Sequence, residues 1–173
     1  MSPNEQPSRE EPRPVSRSRS ELIRWMSLQD ANSAGFVHGG VVMRMCDEVA
    51  GIAAIRHSGC RVVTAGMDRM TFLHPVHVGE LLRCVASVNA VWNTSMEVGV
   101  RVEAENAVTG EVHATSTAYL TMVAVDEHGR PVPVPPLRTE TPIEERRQRE
   151  AATRRRNRLA ERDEILEARS SAG

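Results

Sequence analysis

Lysine is absent from this chain of 173 residues, and all 22 basic side chains are arginine, a bias that reflects genome composition rather than mechanism. Against 23 acidic residues they leave a net charge of -1, which excludes broad electrostatic capture of nucleic acid or a membrane surface. Aromatic residues make up only 3%, so the core is built mainly from Val, Ala, Met and Leu. Cysteine is sparse as well. Cys46, Cys60 and Cys84 are odd in number and lack metal-ligand spacing, so no metal site is expected and a reducing cytoplasm is the plain reading. Cys46 reads as a small core residue rather than a nucleophile. No apolar run approaches the length that spans a bilayer, and no basic segment leading into an apolar stretch marks a secretory leader.

Composition divides what remains. Residues 1–19 are rich in Pro, Ser and charge and are expected to be a disordered tail. Residues 20–137 carry the apolar patterning of one folded domain. Residues 138–173 form a charged, arginine-rich tail, helical from Pro142 to Arg169, solvated and at most weakly docked. Its Arg154, Arg155 and Arg156 cluster reads first as a solvated face. Within the domain, 21–28 reads as a short strand and 40–57 as a helix, with Val41, Met45, Val49, Ile52 and Ile55 as its apolar stripe. Gly59 ends that helix. Strand-like segments follow at 61–73, 80–92, 95–105 and 111–125. In the third, Met96, Val98, Val100 and Val102 alternate with Glu97, Gly99, Arg101 and Glu103. One apolar helix and a set of one-faced strands predict an α+β fold, an antiparallel sheet curled around one central helix.

The stretch "DANSAGFVHGGVVMRMCDEVAG" (30–51) concentrates the chemistry. Gly39 and Gly40 stand at the helix start, where unpaired N–H groups and the helix dipole receive anions. By position alone, a tight turn explains the glycines as well. Asp47 lies about 10 Å up the axis from Gly40, at ~1.5 Å per residue. It sits beside the apolar stripe, where an unused carboxylate is costly. It cannot reach its own helix start. Two antiparallel copies of the helix would bring Asp47 of one to the glycines of the other, so the motif makes sense in a dimer. Glu48 reads as solvent-facing and His38 as a capping or packing residue. Arg56 and His57 read as cations at the negative end of the helix dipole.

Together with "VVTAGMDRMTFLHPVHVGE", "SMEVGVRVEAE" and "TMVAVDEHGRPVPVP", this stretch resembles the hot-dog-fold acyl-CoA thioesterases. The branch is that of the cytosolic acyl-CoA hydrolases, which includes the tandem-domain brain enzyme and single-domain bacterial relatives. The resemblance spans about residues 21–137. It implies acyl-CoA as substrate, no cofactor beyond the CoA of the substrate itself, and a homodimer assembling to a trimer of dimers. It assigns Asn32 and Asp47 as catalytic side chains, with Asp47 reaching in from the opposite subunit as general base or nucleophile. The Gly39 or Gly40 amide would polarise the thioester carbonyl. Thr64 would line the acyl or pantetheine channel, and Thr94 and Ser95 would lie near CoA. Arg83 and Arg154 to Arg156 are candidates for the CoA phosphates, which suit guanidinium geometry. Two alternatives stand beside this reading. An enoyl-thioester hydratase or dehydratase would use a paired Asp and His, for which only the widely spaced Asp30 and His38 are available. A non-catalytic acyl-CoA-binding module would bind without turnover.

Overall fold

The computed structural model describes residues 11–171. In chain order the elements are β1 (Arg13–Pro14), α1 (Val15–Ser18), β2 (Ser20–Trp25), α2 (Gly39–Ser58), β3 (Arg61–Met67), β4 (Leu81–Val91), β5 (Ser95–Glu105), β6 (Val112–Val125), β7 (Leu137–Arg138) and α3 (Pro142–Ser171). Five strands form one antiparallel sheet in the order β2-β4-β5-β6-β3. Only β4, β5 and β6 form a meander. β3 crosses to the far edge and pairs with β6, so the first strand after the helix is an edge strand.

The sheet packs its inner face on α2, as the alternation predicts. Leu82, Cys84, Ala86 and Val88 of β4, and Met96, Val98, Val100 and Val102 of β5, are all buried. The helix stripe differs from the one expected. Val42, Met45, Cys46, Val49, Ala50, Ala53 and Ala54 are buried, whereas Ile55 is 48% exposed. Small side chains let the helix lie close to the sheet, and a hydrophobicity pattern weighted by bulk passes over them. Cys46 is fully buried, and the Cys84 thiol pKa is pushed up by its Cys46 neighbour and by burial. That leaves neither thiol poised as a nucleophile. Gly59 closes the helix in the left-handed region at φ 69°, its N–H bonded to Ile55 O at 2.8 Å.

Two segments read from sequence as tails belong to the body. The expected disorder through residue 19 falls partly outside the described residues, but from Arg13 the chain is structured. Val15 and Ser18 are buried, and β1 pairs with β7. The attraction is the carbonyl end of α2. Arg13 Nη1 donates to His57 O, Arg17 Nε to Arg56 O at 3.1 Å, and Arg56 Nη1 returns a bond to Arg19 O at 2.7 Å. Guanidinium groups thus satisfy carbonyls that a helix end leaves bare. His57 does not serve as a dipole cation. It is fully buried, its Nε2 lies 3.0 Å from Pro135 O, and burial pushes its pKa down.

The α3 helix docks on the outer sheet face through polar side chains. Ala151 is buried, and Arg154 grips Glu97, which is 0% exposed, with Nη2–Oε1 at 2.6 Å and Nε within 3.2 Å of both oxygens. Arg154 also lies over the Tyr119 ring at 3.6 Å. Burial opposes the Arg154 charge, but the Glu97 bonds and charge outweigh it and leave its pKa raised. The Glu97 end of the polar face of β5 is therefore covered, whereas Arg101 on the same face stays exposed. Strand alternation identifies a face without saying what lies on it, and the docking face of α3 has no apolar period to detect.

Candidate active site

Asp47 is half-buried on α2, and Thr64 of β3 donates its hydroxyl proton to Asp47 Oδ1 at 2.5 Å. The Thr64 oxygen also lies 3.6 Å from Met122 Sδ on the neighbouring strand β6. A register shift between Thr64 and Gly66 makes a bulge at this point in β3, a device that commonly re-aims a side chain. Among the described residues, no cation pairs with Asp47. Glu48 instead pairs with Arg44 at 2.9 Å on the exposed face. Asp47 shares an i, i+4 row with Met43, Gly51 and Ile55. Met43 is 40% exposed, and Val63 on the adjoining strand edge is 50% exposed. The carboxylate thus sits on an uncovered, largely apolar face.

The helix start separates the two glycines. His38 is the N-cap, and its Nδ1 accepts from Gly40 N at 3.0 Å. Gly40 therefore spends its amide within the turn. Gly39, the first helical residue, has no hydrogen-bond partner for its N–H among the described residues. A Cβ on Gly39 would lie 3.4 Å from the Phe72 ring, so Phe72 packs against this end of the helix. Phe72 carried no signal in sequence beyond being one of few aromatics.

Asn32 stands in the loop before the helix. Its side-chain carbonyl accepts from Ala34 N at 2.9 Å and Phe36 N at 3.2 Å. Asp30 is fully engaged. Its carboxylate accepts from Ser27 N and Ser27 Oγ, each at 2.8 Å, and pairs with Arg24. The Ser27 backbone bond, with the Ser27 hydroxyl and Arg24, holds its pKa below the usual value. His38 N donates to Asp30 O at 2.7 Å. An Asp30–His38 acid–base pair is not what this loop builds.

The residues expected near CoA do not form one cluster. Arg83 alternates to the sheet face away from α2, where it pairs with Glu21 and with Glu103 at 3.3 Å. Both carboxylates share its charge there. Ser95 Oγ accepts from Arg155 Nη1 at 3.4 Å, and Arg155 lies 4.4 Å over the Trp92 ring. Thr94 O accepts from Ala124 N at 3.0 Å. Arg154 is committed to Glu97, and Arg156 reaches only Thr153 at 3.4 Å. Among the described residues, no three His, Cys, Asp or Glu side chains could hold a metal ion.

The model of the Thioesterase superfamily matches residues 34–111. The cytosolic acyl coenzyme A thioester hydrolase of Rattus norvegicus is 38% identical over 139 residues, 79% of this chain and 36% of that protein. The crystal structure of an apo-hexameric acyl-CoA thioesterase is 40% identical with a TM-score of 0.84, covering 87% of this chain and 97% of that one. The acyl-CoA hydrolase of Staphylococcus aureus, solved with butyryl-CoA and CoA, is 33% identical with a TM-score of 0.83, covering 90% and 95%. That enzyme has also been solved as alanine variants of an asparagine, an aspartate and a threonine, separated by 15 and then 17 residues. Asn32, Asp47 and Thr64 have the same separations. With its curled antiparallel sheet around one long helix, the chain belongs to the hot-dog Thioesterase superfamily.

Proposed function

We propose that this protein hydrolyses acyl-CoA thioesters to a free acid and CoA. The observation that carries the reading is Asp47: a half-buried carboxylate with no cationic partner among the described residues, aimed by a threonine hydroxyl at an uncovered face. Its own helix start lies about 12 Å away at ~1.5 Å per residue, so a second copy must supply the other half of the site. The bare edge of β3 and the exposed Met43, Ile55 and Val63 fit burial against that copy. The hexameric relative supports further assembly into a trimer of dimers.

In the paired arrangement the thioester carbonyl oxygen accepts from Gly39 N–H of one subunit, at the positive end of its helix dipole. Asp47 of the other subunit removes a proton from water as the water oxygen attacks the carbonyl carbon, or itself attacks that carbon to give a mixed anhydride that water then cleaves to the free acid; both routes pass through a tetrahedral oxyanion. The Asn32 amide nitrogen orients the water or the substrate carbonyl. The thiolate of CoA leaves with a proton, and no cofactor enters. The matching asparagine, aspartate and threonine spacing in the Staphylococcus aureus variants supports this set. Thr64 holds Asp47 through its hydroxyl. The cytosolic name of the rat relative supports a cytoplasmic location, and no helix among the described residues is long and apolar enough to cross a membrane.

The test is release of free thiol from a panel of acyl-CoA chain lengths, with Asp47→Ala compared at equal helix content. Loss of turnover in a folded variant is expected. Near-normal turnover would remove Asp47 from the mechanism, and loss of crotonyl-CoA absorbance without thiol release would favour hydration instead.

A further inference from the structure

The segment after β3 has no regular structure, yet it places Phe72 against the catalytic helix start. Three bonds hold it. Asp68 N donates to Tyr119 O at 2.9 Å, and Leu73 N donates to Thr115 O at 2.8 Å. Between these anchors and the C-terminal helix runs an ion pair, Arg158 Nη1 to Asp68 Oδ2 at 2.6 Å. Both members are mostly buried, with side chains 29% and 20% exposed. Arg158 is the last inward-facing residue of α3; from Leu159 onward every described residue is exposed. Tyr119, which holds the Asp68 amide, is the same residue whose ring lies under Arg154. The C-terminal helix therefore grips both sides of the point where β3 ends and the segment to Phe72 begins.

We propose that Arg158 is a positioning residue for thioester hydrolysis: through Asp68 it fixes residues 68–73, and so fixes the Phe72 wall beside the Gly39 amide. The inference rests on the role of Gly39 proposed above. The Phe72 ring, 3.4 Å from where a Gly39 Cβ would stand, sets the space in which a thioester carbonyl approaches the first N–H of α2. A shift of even about 1 Å in such a wall costs up to two orders of magnitude in rate. The second contact of Arg158, to Glu97 at 3.4 Å, is subsidiary, because Arg154 already satisfies that carboxylate. Loss of Arg158 should thus loosen the segment without undocking α3.

The experiment uses the full chain carrying Arg158→Gln, Asp68→Asn, Phe72→Ala and the pairwise doubles, with thiol release as readout. Arg158→Gln and Asp68→Asn should each lower kcat about tenfold with little change in KM, and the two together should do no more than either alone. Adding Arg158→Gln to Phe72→Ala should cost nothing further, and Arg158→Lys should recover part of the rate. Multiplying effects in the Arg158–Phe72 pair, or a kcat loss that only tracks melting temperature, would overturn the proposal. Amide hydrogen exchange of residues 69–73, faster in Arg158→Gln, tests the link without turnover; unchanged exchange would overturn it as well. If the unmodified protein releases no thiol from any acyl-CoA, the thioesterase reading fails, while the exchange result still decides whether Arg158 holds this segment.

Discussion

Thr64 on the edge strand and Asp47 on the central helix meet through a hydrogen bond of 2.5 Å. It joins the two elements that a second copy would have to cover, and it fixes the carboxylate rotamer without supplying a neutralising charge. Replacing Thr64 by Val should keep the bulk and remove the donor. A fall in kcat of about 10- to 100-fold is expected, with KM changed little, since orientation of a reacting group is worth this much. Thr64→Ser should recover most of the rate. Steady-state kinetics on the two variants checks the point, and equal losses in both would refer the effect to packing.

The Gly39 amide can be deleted without disturbing the helix. Proline is tolerated at the first helical position, because no intrahelical bond is lost there. His38 before it is already extended, at φ -63° and ψ 130°. Gly39→Pro should lower kcat by about 10²–10³, the usual cost of one oxyanion donor. Gly39→Ala adds a carbon at the same place beside Phe72 but keeps the N–H, so it should lose far less. Equal kcat in the two variants would clear the amide of its role.

Arg154→Ala should destabilise the fold by about 1–3 kcal/mol, since it leaves the buried Glu97 carboxylate with only the longer contacts of Arg158 and Asn89, each at 3.4 Å. Denaturant unfolding measures this. Adding Glu97→Gln removes the under-paired charge and should restore part of the loss. A double variant no more stable than the single would show that the charge itself is not the cost.

Sequence patterning placed the helix, the turn at Gly59 and the inner faces of the strands, because each depends on local periodicity or on one residue's backbone. It placed Asp47 beside the buried stripe for the same reason. What it missed depends on contacts distant in sequence. Alternation puts Glu97 on the polar face of β5 without showing that α3 lies on it, and the docking side chains Ala151, Arg154 and Arg158 form no apolar period. Nothing local shows that Glu21 and Glu103 pair with Arg83 across the ladder. The N-terminal segment from Arg13 orders because of carbonyls at the far end of α2, which its own composition does not reveal. The family resemblance supplied Asn32 and Thr64; neither stands out by residue chemistry alone.

His57 should make stability pH-dependent. Its folded pKa is pushed below the ordinary value of about 6.5, first by burial and then by Arg13 and Arg17. Below that pH the unfolded chain binds more protons than the folded one, so stability falls as pH falls from about 7 toward 5. His57→Gln, which keeps a donor for Pro135 O, should flatten melting temperature across this window. Losses at lower pH belong to carboxylates such as Asp30 and Asp126, whose pKa values are lowered. An unchanged slope in His57→Gln would remove the histidine from the acid response.

Complementation between two inactive chains tests the shared site most directly. Asp47→Ala and Gly39→Pro, unfolded together and refolded as mixed dimers, leave one intact site in each hybrid, formed by Asp47 of one chain and the Gly39 amide of the other. Random pairing should restore about a quarter of normal thiol release. If the mixture stays as inactive as its parents while hybrids demonstrably form, the carboxylate and the amide do not act across two chains.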